Sequence, residues 1–527
     1  MRFFNTAGPV SCKKHYCLPP LERFDLEEIL YLIEQEKYFV LHAPRQTGKT
    51  SCLLALMEHL NTAGRHKCLY FNVESAQGAR EDVFRGVRAI LNEMAYRAEA
   101  YLKDSTVQNM WTEVLDRSGE DTALNTVISN WCMESNQSLV LLIDEIDSLI
   151  GDTLISVLRQ LRSGYDKRPG LFPRSIILCG VRDVRDYRIR SGREKSIITG
   201  GSAFNVKAKS LRLGDFSGEE VRMLCSCHTE DTGQIFAPGA TDMIWELSEG
   251  QPWLVNALGY EACFKMKENR KRSLGITPEM IHQAKENLIY RRDTHLDQLA
   301  DKLAEDRVRR VIAPILAGEG YPEDIAEDDL GYVRDLGLIK IEGNVRIANP
   351  IYQEVIPRSL TYGTQVTITH ESVWYVREED GMLDMDRLLA AFQDFFRRHS
   401  ESWEERFRYK EAGPQLLMQA FLQRILNRGG RIHREYGLGR KRTDLLLVWP
   451  CGEGKAQEVV IELKIRRGDT EKVIGKGLSQ TWQYMDRCGT DHGHLIIFDR
   501  RKSITPEKKI FRREETYQGH RITVWGM

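Results

Sequence analysis

The sequence lacks long apolar runs and carries almost no net charge. Aliphatic stretches such as Leu139–Ile143 are far shorter than the roughly 20 residues that a membrane-spanning helix needs. The formal net charge is −1, so the whole-chain charge does not indicate a partner. The N-terminus has no charged segment followed by an apolar one, and a secretion signal is therefore not predicted. These absences predict a cytoplasmic protein that does not span a membrane.

The chain also lacks a regular cysteine framework and any internal repeat. Its eleven cysteines are scattered, and two groups only partly resemble a metal-binding cluster: Cys12 with His15 and Cys17, and Cys225 with Cys227 and His228. Neither group has a matching second half, so reduced thiols are expected in both. At 527 residues the chain is too long for one ordinary core, and its length predicts three or four domains at roughly 150 residues each.

In the first half of the chain, short apolar runs alternate with longer amphipathic segments. Helices are predicted between the strands, for example over Thr50–Leu60 and Ala79–Lys103. This alternation predicts an α/β fold with a parallel sheet flanked by helices. The predicted strands are Tyr38–His42, Cys68–Val73, Leu139–Ile143 and Ser175–Cys179.

From Ser217 the segments become short and helical, as in a lid that follows the sheet. Two further helices, Ala304–Leu316 and Ala326–Leu336, precede a hairpin over Gly337–Ala348 and a helix over Pro350–Leu360. Helix, helix and hairpin is the order of a winged helix. Such a domain either contacts DNA or serves only for packing, and the sequence favours neither.

A phosphate-binding loop is predicted where the first strand meets its helix. Gly48 lets the chain approach a phosphate closely, Lys49 can reach the β- and γ-phosphates, and the Thr50 hydroxyl can ligate Mg²⁺. The usual first glycine of such a loop is replaced by alanine. The predicted ATP-binding segment is Ala43, Pro44, Arg45, Gln46, Thr47, Gly48, Lys49 and Thr50.

A second nucleotide element follows the apolar run Leu139–Ile143. Asp144 can hold Mg²⁺ through water, and Glu145 can polarise the attacking water, which makes it a catalytic candidate. Two unpaired carboxylates at a buried strand end would be costly, so a metal and nucleotide role is the favoured interpretation.

These residues resemble the AAA+-related STAND and origin-recognition-like ATPases. The resemblance implies a γ-phosphate-sensing arginine after the next strand, here Arg182, and a Gly-x-Pro turn near the base, here Gly250 to Pro252. It extends over about residues 20–360 and implies ATP binding as a conformational switch, often with oligomerisation. Four nearby arginines are open candidates for action in trans: Arg185, Arg188, Arg190 and Arg193.

The last third places acidic and basic residues at the ends of two predicted strands. Asp444 enters one apolar strand, while Glu462 and Lys464 leave its hairpin neighbour and share a face because they are two residues apart. The two carboxylates can bind one or two Mg²⁺, with the Leu463 carbonyl as a further ligand. Lys464 can orient water or stabilise developing charge. This arrangement predicts phosphodiester hydrolysis.

The pattern resembles the PD-(D/E)XK nucleases, with Asp444, Glu462 and Lys464 at the signature positions. Gln480 and Tyr484 match the Gln-x-x-x-Tyr helix of the RecB-like branch, which implies contact with the substrate backbone. An acidic residue common in the family's first core helix is missing here. The basic run before Asp444 predicts nucleic-acid contacts from Arg440, Lys441 and Arg442.

Together these patterns predict an ATP-regulated, Mg²⁺-dependent nuclease that acts on nucleic acid, DNA being favoured, as a possible homo-oligomer. Two alternatives stay open: a nucleotide-dependent DNA-binding regulator whose C-terminal module does not cleave, and an ATP-driven recombination or repair motor. A defence or mobile-element role follows only by analogy. The predicted domains are a P-loop ATPase core (1–215), a helical lid (216–300), a winged-helix-like domain (301–360), a connector (361–400) and a restriction-endonuclease-like α/β nuclease domain (401–527).

Overall fold

A computed structural model describes residues 1–183, 187–190, 197–291, 294–316, 325–342, 344–360, 375–406, 413–426, 431–438, 441–451, 455–466, 468–499, 501 and 504–527. Within these ranges no helix combines the length and apolar character that crossing a bilayer requires. The chain forms two compact units. The first contains Met1–Arg291 and Leu330–Lys340, and the second contains Arg292–Asp329 and Ile341–Met527.

The helices of the first unit are α1 Leu26–Glu34, α2 Lys49–Ala63, α3 Val83–Leu102, α4 Thr106–Ser118, α5 Ala123–Glu134, α6 Gly151–Ser163, α7 Gly200–Ala203, α8 Gly218–Thr232, α9 Ala240–Ser248, α10 Pro252–Tyr260 and α11 Pro278–Arg291. They are followed by α12 Thr294–Leu303, α13 Asp306–Leu316, α14 Glu327–Asp335, α15 Pro350–Leu360, α16 Met385–Arg406, α17 Gly413–Leu426, α18 Thr470–Cys488 and α19 Pro506–Lys509.

The strands are β1 Tyr38–His42, β2 His66–Asn72, β3 Ser138–Asp144, β4 Ser175–Gly180, β5 Arg188–Arg190, β6 Ile197–Thr199, β7 Lys207–Arg212, β8 Ile339–Glu342, β9 Asn344–Ile347, β10 Arg431–Leu438, β11 Lys441–Pro450, β12 Ala456–Ile465, β13 Gly493–Phe498, β14 Phe511–Tyr517 and β15 His520–Gly526. All four strands predicted in the first half of the chain are therefore present, with ends shifted by at most two residues.

The first unit is built on a five-stranded sheet in the order β2-β3-β4-β1-β7, in which every neighbouring pair is parallel. The prediction of a parallel α/β sheet is confirmed. Strand β1 lies between β4 and β7. In its pairing with β4, Phe39 is opposite Ile177 and Val40 is opposite Leu178. Because the strands are parallel, their carboxyl ends meet at one edge, and this edge carries the loops that follow β1, β3 and β4.

Both faces of this sheet are buried, which explains the continuous apolar strand sequences. Along β3, Leu141 packs on the side of helices α3 to α6, whereas Leu142 packs on the side of α1 and α2. Alternate residues thus enter opposite cores. Burial on two faces fixes the strand register, because a shift by one residue would exchange the two sets.

Short helices α8 to α11 form the predicted helical region after the sheet. Helix α8 starts with a capping box, in which Ser217 and Glu220 satisfy each other's backbone N–H groups. The turn before α10 depends on glycine at position 250. Gly250 has φ of 79°, and a Cβ there would lie 1.8 Å from the Phe216 carbonyl oxygen.

The second unit contains a six-stranded mixed sheet in the order β10-β11-β12-β13-β15-β14. Strand β11 pairs antiparallel with β10 and with β12. Strand β13 pairs parallel with β12 and with β15. Helices α16 and α17 pack on one face and α18 on the other. The predicted elements of the last third are present, including a strand at Gly493 and a helix that contains Gln480 and Tyr484.

Two expectations differ from the structure. Residues 361–400, expected to be a connector, include the first part of helix α16, and its Phe392 is fully buried in the core of the second unit. Cys12 and Cys17, expected as reduced thiols, form a disulfide. The spacing alone did not predict this bond because it depends on how the segment turns between the two residues. Cys225 and Cys227 are free thiols, as expected.

Candidate functional site

The predicted phosphate loop connects the end of β1 to the start of α2. Gly48, the residue before the helix, has φ of 95°, and Gln46 also has a positive φ of 58°. The Lys49 ammonium is buried and donates to the carbonyl oxygens of Ala43 and Pro44, each at 3.0 Å. The missing first glycine is tolerated because the chain has no left-handed residue at position 43.

The metal-ligand pair predicted from sequence lies together in the structure. Asp144 at the end of β3 is fully buried, and its carboxylate accepts a hydrogen bond from the Thr50 hydroxyl at 2.7 Å. The same oxygen accepts from the Tyr70 hydroxyl at 3.1 Å, while the other accepts from the Glu145 N–H at 2.9 Å. A hydroxyl and a carboxylate beside a phosphate loop suit Mg²⁺, which prefers oxygen ligands.

Glu145 follows Asp144 in the left-handed conformation, with φ of 57°. Burial raises the pKa of its carboxyl group, and the nearby carboxylates of Asp147 and Asp144 raise it further, against the opposing charges of Lys49 and Arg45. A carboxylate with a raised pKa is a better proton acceptor, which suits the predicted role of polarising water.

Arg182 follows strand β4 in the position predicted for a γ-phosphate sensor. The preceding Gly180 carbonyl accepts from the Ala43 N–H at 3.2 Å, so this turn lies next to the phosphate loop. The Arg182 side chain is buried, with Nε 4.0 Å from Asp335 Oδ2. Arg185 and Arg193 lie outside the described residues, and of Arg188 and Arg190 only the backbone is described.

A cavity of about 130 Å³ lies beside the phosphate loop and was not predicted from the sequence. Pro252, the predicted base-turn residue, lines it together with Trp253. Residues between 5 and 18, the N-terminal segment, also line it, and the sequence alone suggested no role for them. The cavity is lined by Asn5, Thr6, Ala7, Gly8, Val10, Tyr16, Cys17, Leu18, Pro20, Arg23, Gln46, Thr47, Gly48, Ser51, Cys52, Phe216, Leu224, Pro252, Trp253 and Asn256.

The N-terminal segment is tied to both sides of this cavity. Trp253 Nε1 donates to the Thr6 carbonyl at 2.9 Å, and the Val10 N–H donates to Ser51 Oγ on helix α2 at 2.9 Å. Arg23 also connects the phosphate loop with Phe216. Its guanidinium donates to the Thr47 carbonyl at 3.3 Å, and the guanidinium carbon lies 4.4 Å from the centre of the Phe216 ring. These bonds join residues far apart in sequence, so no local motif could have revealed them.

In the second unit, Glu462 and Lys464 lie on the face of β12 that packs against α18. Glu462 is 2% exposed, and its Oε1 lies 2.5 Å from Lys464 Nζ. Leu445 pairs with Ile461 across β11 and β12, which places the preceding position, Asp444, beside that of Glu462 on the backbone. The side chain of Asp444 lies outside the described residues. Leu463, the proposed carbonyl ligand, pairs with Ile496 of β13.

Helix α18 carries the other residues predicted to contact a substrate. Tyr484 is buried in the apolar cluster between α18 and the sheet, and Gln480 is half-buried. Arg440 lies outside the described residues, and for Lys441 and Arg442 only the strand backbone is described. Across the described part of the chain, no three His, Cys, Asp or Glu side chains are grouped to hold a metal ion.

The parallel sheet, the phosphate loop and the paired Thr50 and Asp144 define a P-loop nucleotide-binding ATPase. Residues 21–355 match the family described as AAA-like domain, and the chain belongs to this family. No curated protein matches the chain.

Among solved structures, the chain is similar to the Walker-type ATPase PABY2304 of Pyrococcus abyssi, with 18% identity, a TM-score of 0.42, and coverage of 63% of this chain and 95% of that chain. It is also similar to Cdc6p from Pyrobaculum aerophilum, with 14% identity, a TM-score of 0.36, and coverage of 65% and 93%. The Drosophila ORC bound to DNA gives 12% identity, a TM-score of 0.36, and coverage of 77% and 87%.

Proposed function

We propose that the protein is an ATP-regulated, metal-dependent nuclease, in which an AAA-like ATPase unit controls a PD-(D/E)XK-type active site. The observation that carries the ATPase half is the bond between Thr50 and Asp144 beside a buried Lys49. The observation that carries the nuclease half is the placement of Glu462, Lys464 and position 444 at adjacent places on β11 and β12.

In the ATPase unit, ATP is held by the phosphate loop and by the cavity beside it. Lys49 binds the β- and γ-phosphates, while backbone N–H groups at the start of α2 support them. The cavity next to Pro252 and Trp253 takes the base, because an aromatic wall and apolar lining suit a flat ring. Thr50 and Asp144 would hold Mg²⁺, which would supply positive charge against the phosphates, and Glu145 would accept a proton from water.

We also infer that residues 301–360 follow the element order of a winged helix of the STAND type, with residues 330–340 grouped with the first unit and the rest with the second. Helices α13 and α14, the strands β8 and β9 and helix α15 follow each other in the order expected. The resemblance to STAND ATPases implies that such a domain responds to the bound nucleotide and changes the assembly of the protein. A homo-oligomer is a proposed consequence.

In the second unit, Asp444 and Glu462 are proposed to hold Mg²⁺ and Lys464 to stabilise the charge that develops at phosphorus. The buried contact between Glu462 and Lys464 keeps both groups on the side of the sheet where α18 carries Gln480. Repulsion is expected between two carboxylates at paired backbone positions, and a divalent cation would offset it, which is a physical reason for the site to take one. Nucleic acid, with DNA favoured, is the proposed substrate.

One experiment separates the two halves. Wild type, Lys49→Ala and Asp444→Ala are incubated with circular and linear DNA and RNA, with and without ATP, in Mg²⁺. Lys49→Ala should abolish ATP binding and any dependence of cleavage on ATP. Asp444→Ala should abolish cleavage while ATP hydrolysis stays at the wild-type rate, because its site belongs to the second unit.

The same assay distinguishes the alternatives. Tight binding of nucleic acid without cleavage in Mg²⁺ or Mn²⁺ would contradict the nuclease proposal and favour a nucleotide-dependent regulator. Strand displacement with DNA-stimulated ATP hydrolysis would favour a motor. In that case, cleavage should be absent from wild type as well as from Asp444→Ala.

A further inference from the structure

Residues 330–340 form part of the first unit, although the chain on both sides of them belongs to the second. This segment, the end of α14 and the start of β8, packs against the phosphate loop. A Cβ on Gly337, which has φ of 76°, would lie 2.8 Å from Pro44 Cγ. Glycine, which has no Cβ, fits both this backbone conformation and this close approach.

The same segment is held to the first unit by polar contacts on either side of Gly337. The Arg212 guanidinium, at the end of β7, donates to the Arg334 carbonyl at 3.3 Å. Lys340 lies 3.2 Å from the carboxylate of Glu249 and 3.5 Å from that of Asp215. The segment therefore contacts the sheet edge, the phosphate loop and the helical region after the sheet.

Asp335 is the acidic side chain that this segment presents to the ATP site. It is 1% exposed, and its carboxylate lies 3.3 Å from Arg334 and 4.0 Å from Arg182. Tyr332 adds a contact to the same arginine, whose guanidinium carbon lies 4.7 Å from the centre of the ring. A buried carboxylate is costly without charged partners, so the pairing with Arg182 contributes to holding the segment in place.

Arg182 has a second expected partner in the proposed ATP site. It follows β4 directly beside the phosphate loop, where a guanidinium can bind the terminal phosphate of ATP. A carboxylate and a phosphate are alternative ligands for the same donors, and the phosphate carries more charge. ADP has no γ-phosphate and does not compete.

We propose that Asp335 acts as an internal competitor of the γ-phosphate for Arg182, so that ATP, unlike ADP, detaches residues 330–340 from the phosphate loop. The inference rests on the proposed ATP site. Since the chain enters the second unit at both ends of this segment, its detachment gives a direct covalent path from nucleotide state to that unit.

The test compares ATP and ADP binding to the full chain with fluorescently labelled nucleotides. Asp335→Asn removes the competing charge and keeps the shape of the side chain. We expect its affinity for ATP to increase about tenfold, within the usual range of coupling between sites, while its affinity for ADP stays at the wild-type value. Arg182→Ala should lower the affinity for ATP selectively, and adding Asp335→Asn to it should change nothing further.

Asp328→Asn, on the same helix but paired with Arg307, is the matched control and should bind both nucleotides like wild type. Equal changes in ATP and ADP affinity for Asp335→Asn would show a merely structural role and overturn the inference, as would an unchanged ATP to ADP ratio. If wild type and Lys49→Ala instead bound nucleotides equally, the proposed ATP site itself would be overturned.

Hydrogen exchange in the wild-type protein provides a second measurement that does not depend on a variant folding. The N–H groups of Leu336, Gly337 and Leu338 donate to backbone carbonyls within the segment. A non-hydrolysable ATP analogue should speed their exchange relative to ADP, because the segment loses its contacts with Pro44 and Arg182. Equal protection with both nucleotides would contradict detachment.

Discussion

Three carboxylates near the end of β3 have different surroundings and therefore different roles. Asp144 accepts hydrogen bonds from Thr50, Tyr70 and the Glu145 N–H, which suits a fixed metal ligand. Asp147 accepts from the Val181 N–H at 3.1 Å and so holds the turn that carries Arg182. For Glu145, burial and the neighbouring carboxylates raise the pKa of the side chain.

The raised pKa of Glu145 predicts a pH dependence of ATP hydrolysis. As pH falls, Glu145 takes up its proton at a higher pH than an ordinary glutamate, so kcat/KM should decline earlier on the acidic side. Asp147→Asn removes a negative charge that raises this pKa and should move the decline to lower pH. Initial rates of phosphate release between pH 5 and pH 9 give the profile.

Glu145→Gln tests the same assignment without titration. It should reduce kcat roughly 10² to 10⁴-fold, the usual contribution of a general base, while ATP binding is kept. Asp116→Asn, which changes an exposed carboxylate on helix α4, is the control for charge alone. An Asp147→Asn profile that coincides with the wild-type profile would contradict the proposed influence of Asp147 on Glu145.

At the scale of elements, the turn between α9 and α10 places Pro252 and Trp253 at the cavity. Gly250 makes this turn possible because it combines a positive φ with a close approach to the Phe216 carbonyl. The Phe216 N–H also donates to the Gly250 carbonyl at 2.8 Å, so the two segments are tied at one point. A change at this glycine should therefore affect both stability and nucleotide binding.

Gly250→Ala should lower the free energy of unfolding by roughly 2 to 4 kcal/mol, because a Cβ adds a backbone clash to the strain of a positive φ. Its affinity for ATP and for ADP should fall as the cavity wall shifts. The control is Gly233→Ala at the end of α8, which has φ of 74° but no atom near the added Cβ. That variant should lose about 1 kcal/mol and keep its affinity for nucleotides.

Denaturant unfolding and nucleotide titration of both variants measure these effects. Equal losses of stability at the two glycines would mean that the close approach to Phe216 contributes nothing beyond the backbone conformation. Unchanged nucleotide affinity in a folded Gly250→Ala protein would contradict the assignment of the cavity to the base.

At the scale of the whole molecule, two compact units carry two different proposed chemistries. Each has its own sheet and its own apolar cores. We expect calorimetry to separate their unfolding transitions. ATP with Mg²⁺ at about one hundred times its Kd should stabilise the first unit by about 2.7 kcal/mol and leave the transition of the second where it is.

Two variants assign these transitions. Phe392→Ala removes a fully buried ring from the second unit and should lower that transition alone, by about 3 to 5 kcal/mol. Lys49→Ala should remove the ATP-induced shift of the first. If ATP shifts both transitions equally, the units unfold as one and the assignment is wrong.

Much of the ATPase unit could be predicted because its signals are local. A strand buried on both faces needs a continuous apolar run, so β1 and β3 were predicted correctly. A phosphate loop needs small and positively charged residues within a few positions, so Lys49 and Asp144 could be named as candidates. The extent of α16 was missed because Met385–Arg406 follows a segment that looked like a connector. Only burial of residues such as Phe392 reveals its place in the core.

The amino-acid sequence determined by itself which residues are candidates to bind phosphate and metal, since that chemistry depends on residue type and short spacing. The tertiary structure decided what surrounds them: the cavity walled by the N-terminal segment, the disulfide between Cys12 and Cys17, and Asp335 beside Arg182. The contact between Asp335 and Arg182 joins residues more than a hundred positions apart, and chain folding alone brings them together. Periodicity and motif spacing report neighbours along the chain, and they carry no information about such distant partners.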